Sequence, residues 1–126
     1  MLKTIFIIII ILHGLIHLLG FVKAYGYADV SALTREISKP MGIIWLMAAV
    51  LFIITAILFA FKHDTWLYFG IASVIVSQAM IWMYWQDAKF GSIANVLMLI
   101  VVFFGFFHQN FKSKYKEEVT AALAVA

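Results

Sequence analysis

Apolar residues dominate four long stretches, approximately residues 3–23, 41–62, 65–87 and 91–111, and polar residues collect mainly between them. At about 1.5 Å of rise per residue, a helix over each stretch reaches roughly the 30 Å of a bilayer's hydrocarbon core. The expected fold class is all-α: a four-transmembrane-helix up-down bundle. Its connections differ in length. The first, "KAYGYADVSALTREISKP", is long and brings Val30, Leu33 and Ile37 to helical spacing behind a candidate N-cap, Asp29. A short amphipathic helix lying on the membrane surface is predicted between the first and second spans. Pro40 suits the first turn of the second span, where a missing N–H costs nothing. The other connections, "KHD" and "DAKFG", are so short that the second, third and fourth helices must be antiparallel neighbours. The tail "KSKYKEEVTAALAVA" reads as a basic collar followed by a weak helix, which divides the chain into a membrane domain, 1–111, and a juxtamembrane tail, 112–126.

Composition supports this reading. Of 126 residues, 66% are hydrophobic, 17% aromatic and 12% charged, and the mean hydropathy is +1.07, far from the balance of a soluble domain. The net charge of +3 could suggest a nucleic-acid partner, but the lysines flank apolar runs, where they anchor to lipid headgroups. Cysteine is absent, which removes disulfides, thiolate metal sites and a cysteine nucleophile. The first run, with Lys3 before it and Ala24-Tyr25-Gly26 after it, imitates a secretory signal. Its apolar part exceeds the roughly 7–15 residues of a signal core, so a spanning helix is expected instead.

Lys3, Lys62, Lys112, Lys114 and Lys116 fall on one side of the expected bundle and Lys23, Arg35, Lys39 and Lys89 on the other. The cluster after the fourth span favours cytoplasmic N- and C-termini. Tyr25, Tyr27, Trp45, Trp82, Tyr84 and Trp85 then form an outer aromatic belt, and Trp66 and Tyr68 an inner one.

Polar residues inside such runs need a partner or a function. His13 lies roughly 15 Å from the cytoplasmic end of the first helix, His17 about 6 Å further out and Gln78 of the third helix at roughly 18 Å. The i, i+4 spacing puts both histidines on one face, continued by Gly20 and Ala24; Gly70, Ser73 and Ser77 make a small-residue face on the third helix, with Gln78 at its edge. These faces are expected to meet, with a neutral imidazole bridging to the Gln78 carboxamide and Asn95 at the outer end of the layer. The layer admits three uses: hydrogen bonds that fix the register, a buried ligand pocket, or a metal or haem site. His13 and His17 are the candidate metal ligands, but two ligands are not a site and no carboxylate lies at their depth. Met47, Met80 and Met98 come close to the depth of His17 and admit copper(I). His63 and His108, roughly 10 Å away along the normal, disfavour a bis-histidine haem. At the outer rim Lys23, Asp87 and Lys89 form a second group, with Asp87 placed to pair with Lys23, most simply as a solvated ion pair. No nucleophile elbow, phosphate-binding glycine loop or paired carboxylates are present, so hydrolytic and phosphoryl-transfer chemistry has no support.

The stretches "HGLIHLLGFVKAYG", "ISKPMGIIWLMAAVLF", "SQAMIW" and "DAKFGSIANV" resemble a bacterial family of small four-helix membrane proteins without an established activity, in which a similar membrane region can also precede a soluble domain of unknown function. The resemblance runs to about Phe111. It implies that His13, Gly14, His17, Gly20, Lys23, Lys39, Pro40, Gln78, Asp87, Lys89, Phe90, Gly91 and Asn95 match the family's pattern. A looser likeness to DoxX-type membrane proteins rests on size and helix number, which says little about function.

The expected function is that of a non-enzymatic integral membrane protein, an accessory or small-ligand-binding component built around His13, His17, Gln78, Ser77 and Asn95, with no catalytic residue and no cofactor. The alternatives are a membrane redox or metal-handling protein, binding copper or haem through the histidines, and a transporter or proton pathway working as an oligomer. Expected partners are the lipid bilayer and other membrane proteins or further copies of the chain, not nucleic acid. The expected location is the bacterial inner membrane.

Overall fold

The computed structural model describes residues 1–125. It is all-helical, with no strand among the described residues: α1 spans Leu2–Ala24, α2 Lys39–Ala60, α3 Trp66–Met83, α4 Trp85–Ala88 and α5 Gly91–Val125. Of these, α1, α2, α3 and α5 are long and apolar enough to cross a membrane. Their outward faces carry exposed Ile8, Leu12, Ile16, Ile75, Ile93 and Phe103. In water so much exposed apolar surface would drive aggregation, whereas lipid tails solvate it without cost.

The helices end where the backbone makes them end. After α1, Gly26 takes a left-handed conformation (φ 69°), and the amides of Gly26 and Tyr27 donate to the Lys23 and Val22 carbonyls. This is a Schellman cap, which supplies donors to carbonyls that the helix leaves free. α2 ends the same way, but with Lys62 in the left-handed position (φ 58°) and the amides of Lys62 and His63 donating to Phe59 and Leu58. Ser38 caps the start of α2 by accepting from the Met41 amide, and Pro40 sits in its first turn.

α1 packs along α2, α2 along α3 and α3 along α5, while α1 and α5 share few contacts. Phe6, Ile10, Phe52, Trp66, Leu67 and Val102 belong to one apolar cluster; Leu33, Ile37, Trp45, Met80 and Tyr84 form a second. Trp45, Trp66 and Tyr84 are thus core residues rather than the belt anchors expected, whereas Tyr27, Tyr68, Trp82 and Trp85 are exposed.

Three boundaries differ from expectation. The helix predicted between the first two spans is absent: residues 25–38 form an irregular loop. The spacing of Val30, Leu33 and Ile37 reflects burial instead, because Leu33 and Ile37 dock on Trp45, Met80 and Tyr84, and beyond one turn from the Leu33 amide to the Val30 carbonyl the loop's backbone bonds to the Lys23 and Asp87 side chains. The third expected span breaks at Tyr84, with the turn of α4 following it. The tail continues α5 as one helix to Val125, exposed throughout its last residues; Ala126 lies outside the described residues.

Candidate functional site

Between the two apolar clusters lies a layer of polar side chains. His13 of α1 faces Asn95 of α5, Nε2 to Oδ1 at 3.2 Å, and Ser77 Oγ of α3 at 3.3 Å. The Asn95 amide group donates to Ser77 Oγ and to Gln78 Oε1, both at 3.0 Å, and Gln78 Nε2 donates to Ser92 Oγ at 3.1 Å. The acceptor and donor roles then follow in sequence. With its amide nitrogen used toward Ser77 and Gln78, Asn95 presents its oxygen to His13, so the His13 Nε2 carries the hydrogen.

Small residues let the chains come this close. A Cβ on Gly91 would lie 3.2 Å from His13 Cε1 and 2.9 Å from Ile81 Cδ1, so the start of α5 comes close to the His13 ring and a side chain there would press on it. A Cβ on Gly20 would overlap the Trp45 indole, so that ring occupies the space over the glycine.

His17 is placed differently. Its Nδ1 donates to the His13 carbonyl at 3.0 Å. Its ring lies 5.4 Å from that of Trp45, 5.5 Å from Phe52 and 4.8 Å from His13 between centroids. His17 and Trp45 are each 2% exposed, and among the described residues neither His17 Nε2 nor Trp45 Nε1 has a hydrogen-bond partner. A carbonyl can only accept, so Nδ1 of His17 holds the hydrogen and, in the neutral ring, Nε2 is a lone-pair acceptor. Trp45 Nε1 is a donor.

His17 and Trp45 are among the residues that line a cavity of about 400 Å³ between α1 and the start of α5, bounded also by Ile81, by Ala32 and Leu33 of the loop, and by Asp87 and Ala88 of α4. Its walls are mainly apolar. Leu12, Ile16 and Phe90 line it and are exposed at the protein surface, so it opens sideways, where α1 and α5 make few contacts.

The loop over residues 25–38 is held to α3 and α4 at the α4 end of this cavity. Asp87 accepts from the Thr34 hydroxyl at 2.7 Å, the Thr34 amide at 2.8 Å and the Arg35 amide at 3.2 Å. The Arg35 guanidinium donates to the Met83 carbonyl at 2.6 Å and stacks over Tyr84. These bonds, the Thr34 hydroxyl first, hold the Asp87 carboxyl below its ordinary range, with the Lys23 charge adding to them. Lys23 gives its hydrogen bond to the Leu33 carbonyl. The direct Lys23–Asp87 pair expected from sequence is therefore replaced by two attachments of the same loop, because the loop's backbone amides reach the carboxylate. Lys89 lies over the Phe90 ring.

Several predicted residues come together and others do not. His13, Ser77 and Asn95 meet, with Asn95 central in the network rather than at its end. Gln78 bonds to Asn95 and Ser92 and to neither histidine, because Asn95 stands between them. Met47 faces outward, Met80 belongs to the cluster around Trp45 and Met98 to that around Phe6. Among the described residues no three His, Cys, Asp or Glu side chains gather as a metal site. Sequence reasoning missed Ser92, the Thr34–Arg35 attachment and the role of Trp45. Ser92 follows Gly91 at a helix start, one turn before Asn95, a spacing that could have revealed it. No family model, no curated protein and no solved structure matches the chain.

Proposed function

We propose that this chain is a non-enzymatic membrane protein whose four long helices span the bilayer as an up-down bundle and bind a small apolar molecule taken from the lipid phase. The observation that carries this reading is the sideways-opening, mainly apolar cavity between α1 and the start of α5, with His13, His17 and Trp45 among its lining residues. Its volume falls in the range of roughly 300–1,000 Å³ usual for small-molecule sites, and such sites combine apolar walls with a few polar groups. The polar layer beside it keeps α1 and α5 in register, and the loop held by Asp87 closes the outer end. In this reading the protein lies in a bacterial inner membrane with both termini in the cytoplasm, and it serves as a ligand-binding or accessory component.

The metal-handling alternative has less support. His13 commits its Nε2 to Asn95 and Ser77, and among the described residues no three His, Cys, Asp or Glu side chains gather around it or His17. Organic extraction of protein purified in nanodiscs, followed by mass spectrometry, tests the proposal. A small apolar compound enriched near one per protein is expected, and it should be lost in Ala94→Trp, which fills the cavity mouth. An extract matching that of protein-free nanodiscs would sink the reading.

A further inference from the structure

Besides its opening between α1 and α5, the cavity has a wall made by the loop. At the α4 end Ala32 and Leu33 line it together with Asp87 and Ala88. Leu33 is buried there in the cluster around Trp45 and Tyr84, while Ala32, Thr34 and Arg35 on either side of it are exposed, so the loop is a single layer of chain over this end. The bonds that fasten it fall on three consecutive residues. Lys23 donates to the Leu33 carbonyl, Asp87 accepts from the Thr34 hydroxyl and from the Thr34 and Arg35 amides, and the Arg35 guanidinium donates to the Met83 carbonyl. One carboxylate therefore belongs both to the cavity wall and to the fastening of the segment that covers it.

The rest of the loop is loosely held. A hollow of about 560 Å³ lies among Lys23, Gly26, Asp29 and Ser31, and between the α1 cap and Leu33 the backbone makes one turn, from the Leu33 amide to the Val30 carbonyl. Both ends are fixed, by the cap at Gly26 and by the Ser38 cap of α2. The bonds to Asp87 and Met83 lie at exposed positions, where water competes for every donor and acceptor, and such bonds open far more readily than buried ones.

We propose that residues 27–37 form a strap that swings on its two capped ends, with Asp87 as its latch and Leu33 as its plug, and that its release joins the α4 end of the cavity to water. The proposal rests on the reading of the cavity as a ligand site and gives that site a second entrance. A molecule that enters from lipid between α1 and α5 then leaves on the aqueous side, or the reverse. Asp87 is a positioning residue here, since it acts through the strap.

The chain has no cysteine, so a single introduced thiol reports one position. Ile81→Cys places it on the cavity wall at a residue 2% exposed, and Ser73→Cys places it at a fully buried position of α3 outside the cavity. The reagent is 2-sulfonatoethyl methanethiosulfonate, whose charge keeps it out of the bilayer and so out of the lipid-side opening. In nanodiscs Ile81→Cys should react slowly, and about tenfold faster once Asp87→Ala is added. Thr34→Ala, which removes only the hydroxyl bond, should give a rate between the two, and Ser73→Cys should not change in any background. An Ile81→Cys rate indifferent to Asp87→Ala and Thr34→Ala, whether fast or slow, would overturn the latch. Equal acceleration of Ser73→Cys would overturn it too, because the substitution would then loosen the whole bundle. These rates need no ligand. A latch-dependent rate beside an extract with no enriched compound would keep the strap and remove the ligand site.

Discussion

His13 on α1 and Asn95 on α5 stand 3.2 Å apart, nitrogen to oxygen, on a flank where these two helices otherwise share few contacts. In an apolar solvent nothing hydrophobic drives helices together, so a polar bond across a thinly packed flank carries much of the attraction there. It also sets how far apart the walls of the cavity stand. His13→Leu and Asn95→Leu should each lower stability in detergent by up to ~2 kcal/mol. The double variant should lose less than the sum, with a coupling of about 0.6–1.7 kcal/mol. Strictly additive losses in chemical unfolding would show that the pair does not act as a unit.

The long helices were legible because apolar run length reports directly on bilayer-scale helices, and the histidine face was legible from i, i+4 spacing. What could not be read was lateral position. Depth along a helix follows from rise per residue, but rotation about each axis decides who touches whom, and Asn95 stands where Gln78 was expected, between Gln78 and His13. The loop failed for a related reason. Val30, Leu33 and Ile37 have helical spacing, yet their burial is satisfied by docking on Trp45 and Tyr84, and a carboxylate 53 residues away from Thr34 in sequence holds the loop's backbone. Local pattern carries no trace of that partner.

Lys62 occupies a left-handed conformation that glycine adopts freely and other residues adopt at a cost. The cap at Gly26 provides the comparison within the same chain, since both turns use the same pair of backbone bonds. Lys62→Gly should therefore raise stability by roughly 0.5–1 kcal/mol, less the entropy that glycine adds to the unfolded chain. A thermal midpoint below that of the parent would count against the strained cap.

Asp87 should make the loop's attachment pH-dependent. Its carboxyl is held below the ordinary value of 3.8 by the Thr34 hydroxyl and by the Thr34 and Arg35 amides. A depressed folded pKa means that the stabilisation is present above the unfolded value and is lost as pH falls through the folded one. The attachment is therefore intact at neutral pH and released only in acid, below 3.8. The Thr34 and Arg35 amide resonances should titrate together with a midpoint below that value and should not titrate in Asp87→Asn. A midpoint above it would reverse the sign of the interaction.

The proposed orientation places residues 25–38 outside the cytoplasm and the Lys112–Lys116 cluster within it, as positive charge near the ends of spanning helices favours the cytoplasmic side. Ser31 and Ser113 are both exposed, so each can carry a reporter without disturbing packing. In intact spheroplasts a membrane-impermeant thiol reagent should label Ser31→Cys and spare Ser113→Cys until the cells are opened. The opposite pattern would invert the topology.

Gly20 and Trp45 give a test whose sign alone is informative. Alanine is the better helix former by about 1 kcal/mol, so Gly20→Ala on an unobstructed helix face should stabilise α1. Here the added Cβ would overlap the Trp45 indole, which is buried against His17 and Tyr84. The ring must move or the helices separate, and overpacking of that kind costs roughly 1–3 kcal/mol. Gly20→Ala should thus destabilise the protein despite its helix propensity. Trp45→Leu removes the obstruction at its own cost in lost packing, and in that background Gly20→Ala should become neutral or favourable. Thermal unfolding of the four proteins in one detergent measures the cycle. If Gly20→Ala stabilises the parent as much as it stabilises Trp45→Leu, the indole does not lie over Gly20, and the cavity wall to which Trp45 belongs is misplaced.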